Sequence, residues 1–352
     1  MRSDPRVSSP GQLLTDVEIP PERDDEIDQQ DGSLAALAAQ YNLRPSAKRP
    51  TIGKYLRELA RRWSFIMGFA TARNIAMYTE AKLGQLWQVL APMLNAGVYY
   101  LIFGVLISAV SRGVPNYFAF LVTGVFVFSF TQRTFISTSK VITESLPLIR
   151  ALQFPRAALP LAYVMIELQQ MLISMAVLVV IVLVTGEPLS WYWLLAIPAL
   201  ILQTMFNAGI ALFAARIGAR VNDFAQLLPF LMRTWLYVSG VLYSIQLLVV
   251  QHATHPWAVD ILQLNPAAIY ITLVRNSLLA SQRATAFGAK AYNAAKCQAY
   301  GASPGKYPTY TAYCHASAIS SHLWLIGAGW AVVALIGGFM FFWRKEVFYG
   351  RG

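Results

Sequence analysis

Three groups of residues in this sequence have types and spacing that invite chemistry. Glu167, followed by Gln169 and Gln170, lies about two turns inside a long apolar run. A carboxylate in such a run is a relay or ligand by default, and otherwise hydrogen-bonds within a helix bundle or snorkels to its edge. A proton-coupled carrier needs more than one such group, and Glu167 is the one clear case. Cys314 beside His315, and His252 near His255, are metal-ligand pairs without a third ligand at metal spacing, so no metal site is expected. The stretch GASPGKY at 301–307 is one spacer short of the nucleotide loop GxxxxGK followed by Ser or Thr, and it lacks the hydroxyl residue. No HExxH, nucleophile motif or other Gly-rich phosphate loop is found. The chain therefore reads as no enzyme in itself, with no cofactor of its own and no nucleic-acid partner.

The elements that hold these residues follow from composition. The 352 residues are 56% hydrophobic and 13% charged, against about 25% charged in soluble domains. Crossing a ~30 Å hydrocarbon core takes roughly 20 apolar residues. Six runs qualify: Leu86 to Val110, Tyr117 to Ser137, Leu161 to Thr185, Trp191 to Phe213, Leu227 to Val250 and Leu323 to Trp343. They are continuous rather than alternating, so the expectation is an all-α integral membrane fold with six transmembrane helices, not a β-barrel.

Lys and Arg in the short flanks set the orientation. Lys48, Arg49, Lys54, Arg57, Arg61, Arg62, Arg73 and Lys82 precede the first run, and Lys140, Arg150, Arg156, Arg216, Arg220, Arg344, Lys345 and Arg351 fall on the same side. The opposite connections, SAVSRGVPN and GEPLS, contribute only Arg112. Both termini are expected in the cytoplasm, with a long external connection at 251–321. Residues 1–50 hold six basic and nine acidic side chains, 6 − 9 = −3, in a proline-containing tail that reads as disordered. No signal peptide is evident, since no apolar segment follows the first basic residues. In IGKYLRELARRWS, residues 52–64, Ile52, Tyr55, Leu56, Leu59 and Trp63 share one helical face and Lys54, Arg57, Glu58, Arg61 and Arg62 the other. This is the pattern of an amphipathic helix at the cytoplasmic headgroup layer, with Tyr55, Arg61, Arg62 and Trp63 as its interface residues. The organisation is thus 1–50 tail, 51–85 interface helix and lead-in, 86–250 five spans, 251–321 external connection, and 322–352 last span and cytoplasmic end.

Cys297 and Cys314 both fall in the external connection, where a disulfide across about 16 intervening residues is plausible. Between the second and third runs lies LPLIRALQFPRAALP, with Pro147, Pro155 and Pro160. Proline disfavours helix in the residue before it, so a short helix over Leu148 to Leu152 and a break at Phe154 and Pro155 are expected. The apolar tip, Leu148, Ile149, Leu152 and Phe154 flanked by Arg150 and Arg156, has the make-up of a contact surface for a soluble partner.

Several stretches together carry a resemblance. ARNIAMYTEAKLGQLWQVLAPML (72–94), LIRALQFPRAALPLA (148–162), RVNDF (220–224), SGVLYS (239–244) and LNPAAIYITLVRNSLL (264–279) resemble, in order, segments of ABC-type polysaccharide export permeases, the Wzm-like group. Gly240 stands where those permeases usually have Pro, and Asn222 where they have Arg beside Asp223. The resemblance implies a homodimer whose helices form a conduit for lipid-linked polysaccharide such as O-antigen or cell-wall galactan. It implies two copies of a separate Wzt-like ATPase subunit, which binds ATP and Mg. Leu148, Ile149, Arg150, Phe154, Pro155, Arg156, Arg220 and Asp223 would face that subunit. Asn265, Pro266 and Arg275 would belong to re-entrant external gate helices. Tyr99, Tyr100, Phe103, Trp235, Tyr237, Tyr243 and Arg233 would line the path, because flat rings let sugar faces slide. A drug or small-lipid ABC exporter, and a membrane enzyme or ion-coupled carrier, are the other classes in play.

Overall fold

The computed structural model describes residues 51–79, 82–107, 114, 116–151, 154–221, 223–245, 261–262, 264–279 and 323–344, with the side chains of Gln85 and Arg150 outside that set. The acidic tail and the pair Cys297 and Cys314 lie outside the described residues. Helices α1 (Ile52–Arg61) and α2 (Trp63–Ala76) open the fold. They meet in a bend at Arg62 (φ −88°, ψ 11°) that keeps the helical ladder, Ile66 N donating to Arg62 O at 3.0 Å. The expected single helix through residue 64 is therefore two. Its tyrosine turns inward: Tyr55 is buried, and its hydroxyl accepts from Ala157 N at 3.1 Å. A buried phenol needs such a partner, and the chain at 157 supplies one. Trp63, moved to the start of α2, is 50% exposed.

Among the described residues, five helices are long and apolar enough to cross a membrane: Trp87–Leu106, Tyr117–Glu144, Ala158–Val184, Trp191–Gly218 and Leu323–Trp343. The first begins as α3 (Trp87–Tyr99) and widens into a π-helical stretch over Tyr100–Leu106. Then come α4 (Tyr117–Glu144), the short α5 (Leu146–Ala151), α6 (Ala158–Val184), α7 (Ala196–Gly218), α8 (Phe224–Val238), α9 (Pro266–Leu278) and α10 (Leu323–Trp343). No strand occurs among the described residues.

The apolar run Leu227 to Val250 behaves differently from the other five. Its helix, α8, has 15 residues, about 22 Å at 1.5 Å per residue and short of the ~30 Å core. The helix gives way at Ser239, and Gly240 (φ +65°) takes a left-handed conformation that side chains disfavour. Hydropathy averages over this turn, because Gly, Val, Leu and Tyr keep the window apolar whichever way the backbone goes.

α4 is the central helix, packed on α6, α7, α8 and α9. α7 and α10 approach so closely that a Cβ on Gly209 would meet the Ala334 backbone and one on Gly338 the Gly209 backbone. Small residues at a crossing are how helices associate where lipid removes the hydrophobic drive. Polar side chains supplement them. Gln203 Nε2 donates to Val127 O (2.8 Å) and Thr131 Oγ1 (3.1 Å), and Thr131 Oγ1 donates to Asn207 Oδ1 (2.9 Å), all buried between α4 and α7. Interhelical bonds of this kind contribute about 0.6 to 2 kcal/mol. Gln203→Leu is accordingly expected to destabilise the purified chain by about 1 kcal/mol in equilibrium unfolding; no change would mean that Thr131 and Asn207 suffice.

Candidate transport path and coupling surface

At one end of the bundle, α9 is fastened to the turn that follows α8. Pro266 stands at the first position of α9, where its missing N–H is not needed, and Asn265 caps the helix, its Oδ1 accepting from Ala267 N at 3.1 Å. The same oxygen accepts from Trp235 Nε1 at 2.9 Å, and Asn265 Nδ2 donates to Val238 O (3.3 Å) and Ser239 Oγ (3.4 Å). Asn265 thus joins the C-terminal turn of α8 to the N-terminus of α9. Tyr270 Oη donates to Gly327 O (2.9 Å) and Trp330 Nε1 to Leu264 O (2.9 Å), tying α9 to α10.

Arg275 completes this fastening. It is 5% exposed, and its guanidinium donates from Nε to Phe120 O (3.0 Å), from Nη1 to Gly240 O (2.8 Å) and from Nη2 to Val241 O (2.7 Å). Its Cζ sits 3.4 Å from the centroid of the Phe120 ring, a cation–π contact that is strongest when desolvated. Leu242 O, next in the turn, accepts from Tyr117 Oη at 2.8 Å. Three successive carbonyls therefore face donors of α9 and α4, an arrangement the left-handed Gly240 permits. Gly124 leaves the room, since a Cβ there would run into Arg275 Nη2. With three of its five N–H donors on backbone carbonyls, Arg275 is placed to hold helices together.

The aromatic residues expected along a path divide in two. Trp235 has its indole N–H on Asn265 and its ring edge-on to Phe128 at 6.0 Å. Tyr100 packs on Tyr117 (6.2 Å) and Phe118 (5.2 Å), and Tyr243 and Phe103 rest against the main core. Tyr237 is 46% exposed and Arg233 is exposed on α8; both lie within electrostatic reach of the Tyr99 phenol on α3. Tyr237 and Arg233 are thus exposed together on α8, and Tyr99 lies near them, half-buried and packed on the main core, beside the π-helical stretch that carries Tyr100 and Phe103. Such irregular turns recur at functional sites.

At the other end, Gly218 of α7 packs on the Ser139 backbone of α4, and Arg216 donates to Phe341 O while covering the Phe341 ring of α10. The 146–157 and 219–223 connections leave from this end. α5 starts two residues earlier than expected and ends at Ala151; Leu152 and Gln153 lie outside the described residues. The break at Phe154 and Pro155 is observed, with Ala158 N donating to Pro155 O at 2.9 Å. The apolar tip is not simply a protruding knob. Phe154 is half-buried with its ring 5.4 Å from Phe65 of α2, and Leu148 and Ile149 pack against a core that includes Tyr55, Val141 and Leu159. Pro155 is buried, Arg156 half-buried, and Arg220 and Asp223 exposed.

Glu167 is matched by a residue the sequence reading passed over. Arg133 Nε lies 3.1 Å from Glu167 Oε2, with side-chain exposures of 27% and 8%. The pair is close by distance, although the N–H is not aimed along a hydrogen bond. A lone Arg in the second apolar run was the available signal, since charges at that depth pair with one another.

This geometry is shared with known proteins. The profile of the ABC-2 type transporter family matches residues 67–279, from α2 to the end of α9. The O-antigen export system permease protein RfbA of Klebsiella pneumoniae is 28% identical over 168 residues, 47% of this chain and 64% of that protein. The protein of the same name from Myxococcus xanthus is 23% identical over 192 residues, 54% of this chain and 73% of its own length. The chain thus spans just under two thirds of the length of the Klebsiella relative. A family match that covers more than half of the sequence, and takes in the four helices from α3 to α7 that can span a membrane together with the fastened pair α8 and α9, places the chain in the ABC-2 type transporter family.

Proposed function

We propose that the chain is the membrane-spanning subunit of an ATP-driven exporter that moves lipid-linked polysaccharide, of the O-antigen or cell-wall galactan kind, from the cytoplasmic to the outer side of the inner membrane. It works as a homodimer with two copies of a separate ATPase subunit, which binds ATP and Mg. Its N and C termini are cytoplasmic, and α9 with the turn after α8 belongs to the external gate. The observation that carries this reading is the similarity to O-antigen export permeases over 168 and 192 residues of the chain.

Two structural features support it. Tyr237 presents an exposed ring on α8 close to the half-buried Tyr99 of α3, where a second copy of the chain would close a path between sugar-compatible surfaces. The connections 146–157 and 219–223 leave one end of the bundle together, as a docking surface for one soluble subunit requires. The experiment is deletion of the gene with complementation. Loss of surface polysaccharide, with lipid-linked precursor accumulating on the cytoplasmic leaflet, and recovery of an ATPase with the tagged chain are expected. Normal surface polysaccharide and unchanged precursor in the deletion strain would overturn the reading.

A further inference from the structure

A cluster of buried amides joins the α1–α2 arm to the first span. Asn74, in the last turn of α2, is buried. Its Oδ1 accepts from Gln88 Nε2 at 3.1 Å and from Gln170 Nε2 at 3.3 Å, and its Nδ2 donates to Gln169 Oε1 at 3.2 Å. Gln169 Nε2 donates onward to Thr71 Oγ1 at 3.0 Å. One side chain thus links α2, α3 and α6. Among the described residues, the bond from Gln88 is the only side-chain hydrogen bond between α3 and another helix. The remaining buried positions of α3 are Val89, Pro92 and Ala96, which offer apolar contact alone.

The opposite part of the same arm grips the connection before α6. Tyr55 Oη accepts from Ala157 N, Phe65 stacks on Phe154, and Ile66 packs with Ala158 and Ala162. From Phe65 to Asn74 the helix runs roughly 14 Å without a break, at 1.5 Å per residue. A displacement at 154–157 therefore reaches Asn74 through a rigid element. The hub is also incompletely satisfied: Gln88 Oε1 is buried and has no partner. A polar network with an unfilled acceptor is less than fully satisfied, which leaves the tie between α2 and α3 open to adjustment.

We propose that Asn74 is the joint through which the first span follows the coupling segment. The inference rests on the exporter reading above. Movement of 154–157, imposed by the ATPase, is carried by α1 and α2 to Asn74 and passed through Gln88 to α3, the helix that bears Tyr99. Asn74 and Gln88 are positioning residues, and neither touches the substrate.

The test uses the permease with its ATPase subunit, reconstituted in liposomes with lipid-linked glycan. Gln88→Leu keeps the volume and cuts the tie between α2 and α3; Gln170→Leu leaves that tie in place. With Gln88→Leu, ATP hydrolysis is expected within about twofold of the unsubstituted complex, while glycan exported per ATP falls about tenfold, inside the usual range of coupling between distant sites. Gln170→Leu is expected to keep export per ATP. Spin labels at Leu56 and Val98, both exposed, give a readout free of substrate: their separation holds through the ATP cycle in the unsubstituted complex and broadens with Gln88→Leu. Unchanged export per ATP and unchanged label separation in both Gln88→Leu and Asn74→Leu overturn the joint. An unsubstituted complex that hydrolyses ATP but moves no glycan overturns the exporter reading instead, and the label separation then still decides the joint.

Discussion

Arg275→Met is expected to destabilise the chain by about 3 kcal/mol and to open a passive leak in the resting protein. The substitution keeps the bulk and removes a charge that has no carboxylate partner among the described residues, which by itself would favour folding. Against that stand the carbonyls of Gly240 and Val241, which lie in a turn outside any helix and would be left buried without donors. Each such loss costs about 1 to 3 kcal/mol. The cation–π contact with Phe120 goes as well. Lys at 275 reaches fewer of the three carbonyls with its single ammonium and should fall between. Gly124→Ala separates the guanidinium's position from its charge, because the added Cβ displaces Nη2 while Arg275 remains. Since both changes break one contact, their costs should be less than additive. Equilibrium unfolding of the unsubstituted chain, Arg275→Met, Gly124→Ala and the double variant gives the cycle, and dye release from liposomes gives the leak. Arg275→Met with unaltered stability and a tight membrane would show that the turn does not depend on this side chain.

How much of this was legible in the sequence depends on what each signal averages over. Helix existence was legible wherever a continuous apolar run met no backbone exception, as at 158–184 and 323–343, because hydropathy and length are enough to make a helix there. The run through Gly240 marks the limit of that rule: α8 gives way at Ser239, and the glycine that follows passes as apolar in a hydropathy window yet is left-handed by conformation. The proline pattern located the break at 154–155 to the residue, since Pro acts on its immediate neighbour. It said nothing of Phe65, 89 positions earlier, whose ring turns part of the expected partner surface inward. Arg275 and Asn265 were singled out only through the resemblance, which implied a gate. What they bind is backbone carbonyl, and no residue type marks a free carbonyl. The Arg133 and Glu167 pair and the Asn74 hub join helices that are distant in sequence. Either amide could equally have faced lipid headgroups, so side-chain type alone was silent on them.

Exposure sorts the aromatic residues by what a substitution would measure. Replacing Trp235 removes a bond to the cap of α9, and replacing Tyr100 or Tyr243 disturbs core packing, so lost export in those variants would report folding as much as transport. Tyr237 is the cleaner probe, being nearly half exposed; neither it nor Tyr99 makes a side-chain hydrogen bond to another described residue, although Tyr99 also packs on the main core. Leu at both positions keeps the volume apolar and removes the flat, polar-tipped faces on which a sugar can stack. Stacking of this kind contributes about 0.5 to 1.5 kcal/mol per ring in aromatic pairs. Two rings met repeatedly by a moving chain should therefore lower the export rate by about tenfold, taking about 1.4 kcal/mol per factor of ten. Dimer assembly and ATP hydrolysis are expected to remain near the unsubstituted level, which is what separates a loss of transport from a loss of assembly. Arg233→Gln, beside them, separates ring from charge: it should leave export of a neutral glycan segment unchanged and slow only the step at which the anionic lipid carrier passes. Full export at normal expression with Tyr99→Leu and Tyr237→Leu together would place the conduit elsewhere and leave this face to lipid or to packing between copies.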